Sequence, residues 1–200
     1  MPRQVDHDER RRQIAEAVWR LAMRGGLEQV TLRQVATEAD VSARLLQYYF
    51  GTRDQVLLGA LEILNADAER QAKRRMDELG ESPTIRTVVR GVLLEMLPLD
   101  QERRDRHTVY AAYFVRFLTE PALASVAEAA TSGLADLVTD LIAAARAAGQ
   151  VVEGVEPAVE GAFLTAGAEG LQTRMLLSQL SSDDAIAIID RQLDRVFTTA

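Results

Sequence analysis

Along almost the whole chain apolar residues recur three and four positions apart, and no useful stretch alternates with period two. This spacing predicts helices near 8–24, 31–38, 42–49, 53–79, 83–97, 102–118, 121–149, 157–179 and 182–198, and no strands. The prolines punctuate the same boundaries: Pro83 and Pro157 suit first turns, Pro98 ends an apolar run, and Pro121 reopens a helix after Thr119. The Ala-rich stretch 122–148 keeps Leu123, Val126, Leu134, Leu137, Val138 and Leu141 at helical spacing, so it reads as packed helix rather than linker. The expected fold class is all-α.

Within that pattern, residues 30–62 carry a distinctive arrangement. Thr31 is a good N-cap, and Gln34 three residues later completes a capping box. Leu32, Val35, Ala36 and Ala39 form one apolar face, Asp40-Val41-Ser42 breaks the helix, and Ser42 caps the next. Two short helices joined by a tight turn, with the small Ala36 at their crossing, make a helix-turn-helix. On the second of these helices Leu46, Tyr49 and Phe50 fall on one side, and Arg44, Leu45, Gln47 and Tyr48 on the other. An outward set of arginine, amide, phenol and aliphatic residues suits the reading of base edges. Each good bidentate side chain–base pair contributes roughly 1–3 kcal/mol of discrimination. Thr31, Ser42 and Arg53 are placed to hold phosphates beside them.

Charge changes this picture only after it is divided. The 200-residue chain has a formal net charge of −7. Residues 1–54 hold nine arginines against eight acids, so the acidity lies in the remainder. This polarity suits a small nucleic-acid-binding head on an acidic body. The absence of cysteine excludes a disulfide framework and thiolate chemistry, and two histidines exclude a multi-histidine metal cage. The N-terminal residues lack the apolar core of a signal peptide and no run approaches the length of a membrane span, so a cytoplasmic protein without membrane association is expected.

The order of motifs carries a resemblance as well. A first helix, ERRRQIAEAVWRLAMRGGLEQV, is followed by TLRQVATEADVS, a helix ending YYF, and GTRDQVLL. Over about residues 8–62 this resembles the DNA-binding domain of TetR-family regulators. The matching positions are Gly25-Gly26, Thr31, Val35-Ala36, Val41-Ser42, Tyr49-Phe50 and Arg53. Two departures stand out: Asp40 where many members have glycine, and Ala43-Arg44 where many have Lys-Gly. The resemblance implies a three-helix DNA-binding domain over 1–52 and a helical effector-binding and dimerisation domain over 53–200. The DNA-contacting set it implies, together with the outward face, is Thr31, Arg33, Ser42, Ala43, Arg44, Gln47, Tyr48, Tyr49 and Arg53. Trp19, beside Ile14, Val18 and Leu21, reads as core of the head.

The resemblance also implies a homodimer on a palindromic double-stranded operator and a small-molecule effector that releases it, the behaviour of a repressor. Ile186, Ile189, Leu193 and Val196 form a seam at spacings of three, four and three, and small residues flank Phe163, Leu164 and Leu171. TetR-like proteins dimerise through their last two long helices, which makes these seven residues the expected interface. The aromatic stretch 108–118 supplies Tyr110, Tyr113, Phe114, Arg116 and Phe117 as candidate effector contacts, with Met96, Glu169, Gln172 and Met175. Helices 83–118 and the tail 157–198 are also similar to the subfamily of choline-responsive regulators, yet an aromatic box for a quaternary ammonium needs more aromatic residues than these helices offer.

Two other readings compete: a DNA-binding regulator without an effector, and an all-helical enzyme. Against the enzyme, His7 stands near the terminus, His107 ends the charged run DQERRDRH, and Asp183-Asp184 read as helix-start charges. No catalytic residues, metal ligands or cofactor are expected.

Overall fold

A computed structural model describes residues 2–80 and 82–198. Nine α-helices are present among them: α1 (Pro2–Gly25), α2 (Leu32–Glu38), α3 (Ala43–Tyr49), α4 (Arg53–Asp77), α5 (Ile85–Glu95), α6 (Gln101–Phe117), α7 (Pro121–Ala147), α8 (Pro157–Leu176) and α9 (Ser182–Val196). A 3₁₀ turn, Leu27–Gln29, joins α1 to α2, and an isolated antiparallel bridge pairs Val151 with Phe197.

The caps explain most of the boundaries. Thr31 and Gln34 form the expected capping box, and the Ser42 hydroxyl accepts from the Leu45 amide at 3.1 Å. One of these starts moves by two residues from its sequence position. Helix α5 begins after Thr84, whose hydroxyl takes the Thr87 amide, rather than at Pro83. Helix α9 begins at Ser182 as expected and is capped by Ser181, whose hydroxyl takes the Asp184 amide. Asp183 and Asp184 then lie in the first turn, where the helix dipole favours negative charge.

Packing divides the chain into two compact units. The first comprises residues up to Glu69 together with Thr108–Glu128. Its core gathers Ile14, Ala15 and Val18 of α1, Val35 and Ala36 of α2, Leu46 of α3, Val56, Leu57, Ala60 and Leu61 of α4, and Val109 and Tyr113 of α6. The Trp19 indole N–H donates to the Ala60 carbonyl at 3.1 Å, so Trp19 packs in this core with its one polar atom satisfied. The boundary expected after residue 52 follows roles, whereas side-chain packing joins the first part of α4 and residues 108–128 to the helix-turn-helix.

The second unit comprises Arg70–His107 together with residues from Ala129 onward. Val89, Val92 and Leu93 of α5, Val138 and Ile142 of α7, Leu164 and Ala168 of α8, and Ile189, Leu193 and Val196 of α9 fill its core. Gly161 brings α8 against α7: a Cβ there would collide with the Thr139 hydroxyl and lie 3.1 Å from the Thr139 Cα. At its edge, Arg90 forks onto Asp190 at 2.6 and 3.1 Å, and Arg86 reaches Asp194 at 2.5 Å. The hydrogen bond from Arg90 is the main reason the Asp190 carboxyl is held below its ordinary range.

Candidate nucleic-acid interface

Helix α3 is anchored by burial on one side and left open on the other. Leu46 is fully buried and Phe50 nearly so, with the Arg11 guanidinium 4.5 Å above the Phe50 ring. Beside the same ring Gly59 of α4 approaches so closely that a Cβ would fall 2.5 Å from Phe50 Cε1 and 3.4 Å from the Arg11 guanidinium. Arg11 also donates to the Tyr49 carbonyl at 3.1 Å, satisfying one of the orphaned acceptors at the end of α3. Held in this way, α3 exposes Ala43, Arg44, Gln47 and Tyr48, the last 76% accessible.

The turn before α3 is set by Asp40, whose φ of 50° lies in the left-handed region. Glycine adopts that region without cost, and aspartate is among the few other residues that tolerate it. The Val41 amide then donates back to Ala36 at 2.9 Å, closing α2 in the way a glycine would. Leu32, Arg33, Ala36, Thr37, Asp40, Val41 and Ala43 line a shallow open groove along this turn.

Most of the head's arginines are engaged inside the protein. Arg12 forks onto the buried Asp67, and Arg20 and Arg24 both hold Glu38 at the end of α2. Those two hydrogen bonds depress the Glu38 carboxyl below its ordinary range. Arg53 donates to the carbonyls of Val30 and Leu27, each at 2.6 Å, so it ties α4 to the 3₁₀ turn rather than presenting a free fork to phosphate. The Thr31 hydroxyl is likewise directed to Gln34 at 2.8 Å. Tyr49 turns toward α1 and is half-buried, its ring 4.6 Å from that of His7. Thr31, Tyr49 and Arg53, expected as DNA contacts, each thus have a partner within the protein. Among the described residues, Arg33 and Arg44 are exposed and paired with no carboxylate.

The candidate effector residues fall in two different units. In the first, Tyr113 is fully buried, its hydroxyl donates to the Leu57 carbonyl at 2.9 Å, and its ring stacks on Phe117 at 5.9 Å. Burial pushes the Tyr113 phenol well up from its ordinary value. Arg116 is bound to Glu120 and lies 3.5 Å from Asp54, Tyr110 tilts against Phe117, and Phe114 is 60% exposed. In the second unit Met96 and Met175 are core, Gln172 is half-buried and Glu169 is exposed. Tyr113, Met96 and Met175 thus act first as packing residues.

The interface seam also needs correction. Leu164, Ile189, Leu193 and Val196 are buried within the chain, against α5 and one another, so their apolar surface is not open to a second copy. Leu171 and Ile186 are partly covered. Of the seven, Phe163 is the one left largely open, at 62%. It belongs to a second stripe along α8 and its C-cap, Val159, Phe163, Ala166, Gly170 and Leu177, exposed throughout. Its spacings of four, three, four and seven are as regular as those of α9, but its small residues hide the pattern. A Cβ at Gly170 would meet open space.

Among the described residues no helix is long and apolar enough to cross a membrane, and no group of three or more histidine or acidic residues could hold a metal ion. Comparison with known proteins agrees with the helix-turn-helix. Residues 14–60 match the family described as bacterial regulatory proteins, tetR family, and residues 85–198 match the BetI-type transcriptional repressor C-terminal family. The HTH-type transcriptional regulator PksA of Bacillus subtilis is 35% identical over 113 residues, 56% of this chain and 54% of that protein. The chain thus aligns with about half the length of this curated relative. A TetR-family regulator structure from Rhodococcus sp. superposes with a TM-score of 0.83 at 26% identity, covering 94% of this chain and 98% of that one. A regulator from Saccharomonospora viridis, solved in complex with choline, shares the fold with a TM-score of 0.80 at 20% identity, covering 96% and 100%. With a tetR-family match over its helix-turn-helix and a BetI-type match over residues 85–198, more than half its length, the chain belongs to the TetR family of transcriptional regulators.

Proposed function

We propose that this regulator is a cytoplasmic repressor that binds a palindromic operator as a homodimer and is released by a small-molecule effector. The observation that carries the DNA reading is the outer face of α3. Arg44, Gln47 and Tyr48 are solvent-exposed there while Leu46 and Phe50 hold the helix from behind. Arg44 has the donor fork for guanine, Gln47 the amide for adenine, and Tyr48 a phenol and ring for a base edge or thymine methyl. Arg33, the exposed Ser42 and the open N-terminus of α3 supply phosphate contacts, with Ala43 allowing close approach. Residues 1–52 read DNA in this account, and 53–200 serve the effector and the dimer.

The dimer is assigned to the exposed stripe of α8. Val159, Phe163 and Leu177 are each more than 60% accessible, and Ala166 and Gly170 permit close helix approach between them. Two α3 helices related by such a contact read successive major grooves about 34–36 Å apart. For release, an effector needs only a differential affinity for two conformations. Movement of α4 is the simplest route, because Arg53, Gly59 and Ala60 of α4 hold the 3₁₀ turn, Phe50 and Trp19. The choline bound by the Saccharomonospora viridis protein makes small polar cations the first class to screen.

The test is a gel-shift series on DNA from upstream of the protein's own gene. Arg44→Ala should abolish the specific shift and Tyr48→Ala weaken it strongly, each leaving helicity and self-association intact. Survival of the shift in both variants would refute the α3 assignment. A compound screen that scores a raised melting temperature together with DNA release tests the effector.

A further inference from the structure

Tyr48 is the most exposed large apolar side chain of the recognition helix, and little of the chain around it fixes where its phenol points. Its described ring neighbour is Tyr49, edge-on at 5.3 Å and 85°. Tyr49 in turn lies against His7 of α1, with ring centroids 4.6 Å apart at 56°. His7, Arg11, Ile14 and Val18 are spaced by four, three and four along α1 and face α3 and the core together: His7 on the Tyr49 ring, Arg11 on the Tyr49 carbonyl and the Phe50 ring, Ile14 and Val18 in the core. The His7 and Tyr49 rings thus extend the packing of α1 as far as the base-reading face. The segment holding His7 precedes residues 14–60, over which the tetR family match runs.

We propose that His7 is a positioning residue for operator recognition, acting through Tyr49 to hold the Tyr48 ring where it meets the base edge. This rests on the reading of α3 as the recognition helix. Edge and tilted aromatic contacts are orientation-dependent, so removing the last ring of the row frees the first one to rotate. The cost then appears as lost sequence discrimination at the base pairs Tyr48 touches, and not as a general loss of DNA affinity, because phosphate contacts carry no sequence information.

The experiment is in vitro selection from a randomised duplex library with the full-length protein and its His7→Ala, His7→Phe and Tyr48→Ala variants, each checked by thermal melting. The positions that lose preference in Tyr48→Ala define the base pairs read by Tyr48. His7→Ala should weaken preference at those same positions by about two- to tenfold, while His7→Phe, which keeps a ring against Tyr49, retains it. Affinity for a scrambled duplex should be unchanged in all three variants. The proposal is overturned if His7→Ala leaves those positions untouched, if it weakens every position alike, or if Tyr48→Ala alters none. Failure of the wild-type protein to select any motif would remove the DNA reading itself, and this inference with it.

Discussion

Asp40 shows how a single residue can depart from a family pattern without disturbing it. A left-handed residue other than glycine costs about 1–2 kcal/mol, while glycine loses about 0.5–1 kcal/mol of chain entropy on folding. Asp40→Gly should therefore raise stability slightly, by about 0.5 kcal/mol, measurable as an increased urea midpoint with unchanged slope. His107 makes a larger contribution of the opposite sign. It is buried, its Nε2 has no hydrogen-bond partner, and burial with the neighbouring Arg106 brings it down to about 4. Between about pH 6.5 and pH 4 the unfolded chain binds a proton that the folded one does not, so stability falls as pH drops through that window and levels off below it. The expected loss is about 3 kcal/mol, and His107→Gln should flatten the wild-type slope between those two pH values while leaving the steeper carboxylate-driven loss at lower pH. The composition of the run DQERRDRH placed His107 among charges; that it is buried beside Arg106 is a property of packing, which the run could not convey.

Among the elements, glycines separate close approach from open surface. Gly59→Ala should destabilise by about 1–3 kcal/mol, since the new methyl falls on the Phe50 ring and the ring is already covered by Arg11. Because that ring anchors the end of α3, operator affinity should fall further than the stability change alone explains. Gly161→Ala should be costly for the same reason against Thr139, whereas Gly170→Ala, facing open space, should leave folding stability equal or improved. Nothing in the local sequence distinguishes these three glycines, all within helices. By contrast the caps at Thr31 and Ser42, the break at Asp40-Val41 and the short lengths of α2 and α3 were legible, because each depends on residues at most four apart.

At the scale of the whole molecule, the proposed DNA binding depends on charge and self-association. Only Arg33 and Arg44 of the head's described arginines are both exposed and unpaired with a carboxylate or a protein acceptor on α2 and α3, giving four such cations in a dimer. With each neutralised phosphate contributing a slope of about −0.9, the logarithm of affinity against that of salt should run near −4, well short of what nine arginines per head would suggest. A slope near −10 would show that the internal ion pairs open on DNA. Phe163→Arg, placed in the exposed stripe of α8, should yield a folded monomer by sedimentation with operator affinity reduced at least 100-fold, whereas the same change is harmless if α8 faces solvent in the working protein.

The order of helices, their caps, the turn and the outward face of α3 were determined by the sequence itself, because helix periodicity and capping are short-range and residue identity alone sets them. The division of labour among like residues was decided only by tertiary structure. Arg53 and Arg44 are the same residue type nine positions apart, yet one bonds the carbonyls of Leu27 and Val30 and the other is exposed to solvent. The seams of α8 and α9 have equally regular spacing, yet one is buried against α5 and the other is exposed. Spacing tells which side chains share a face. Which of two apolar faces is covered depends on residues some hundred positions away, as Arg90 and Asp190 show where α5 meets α9.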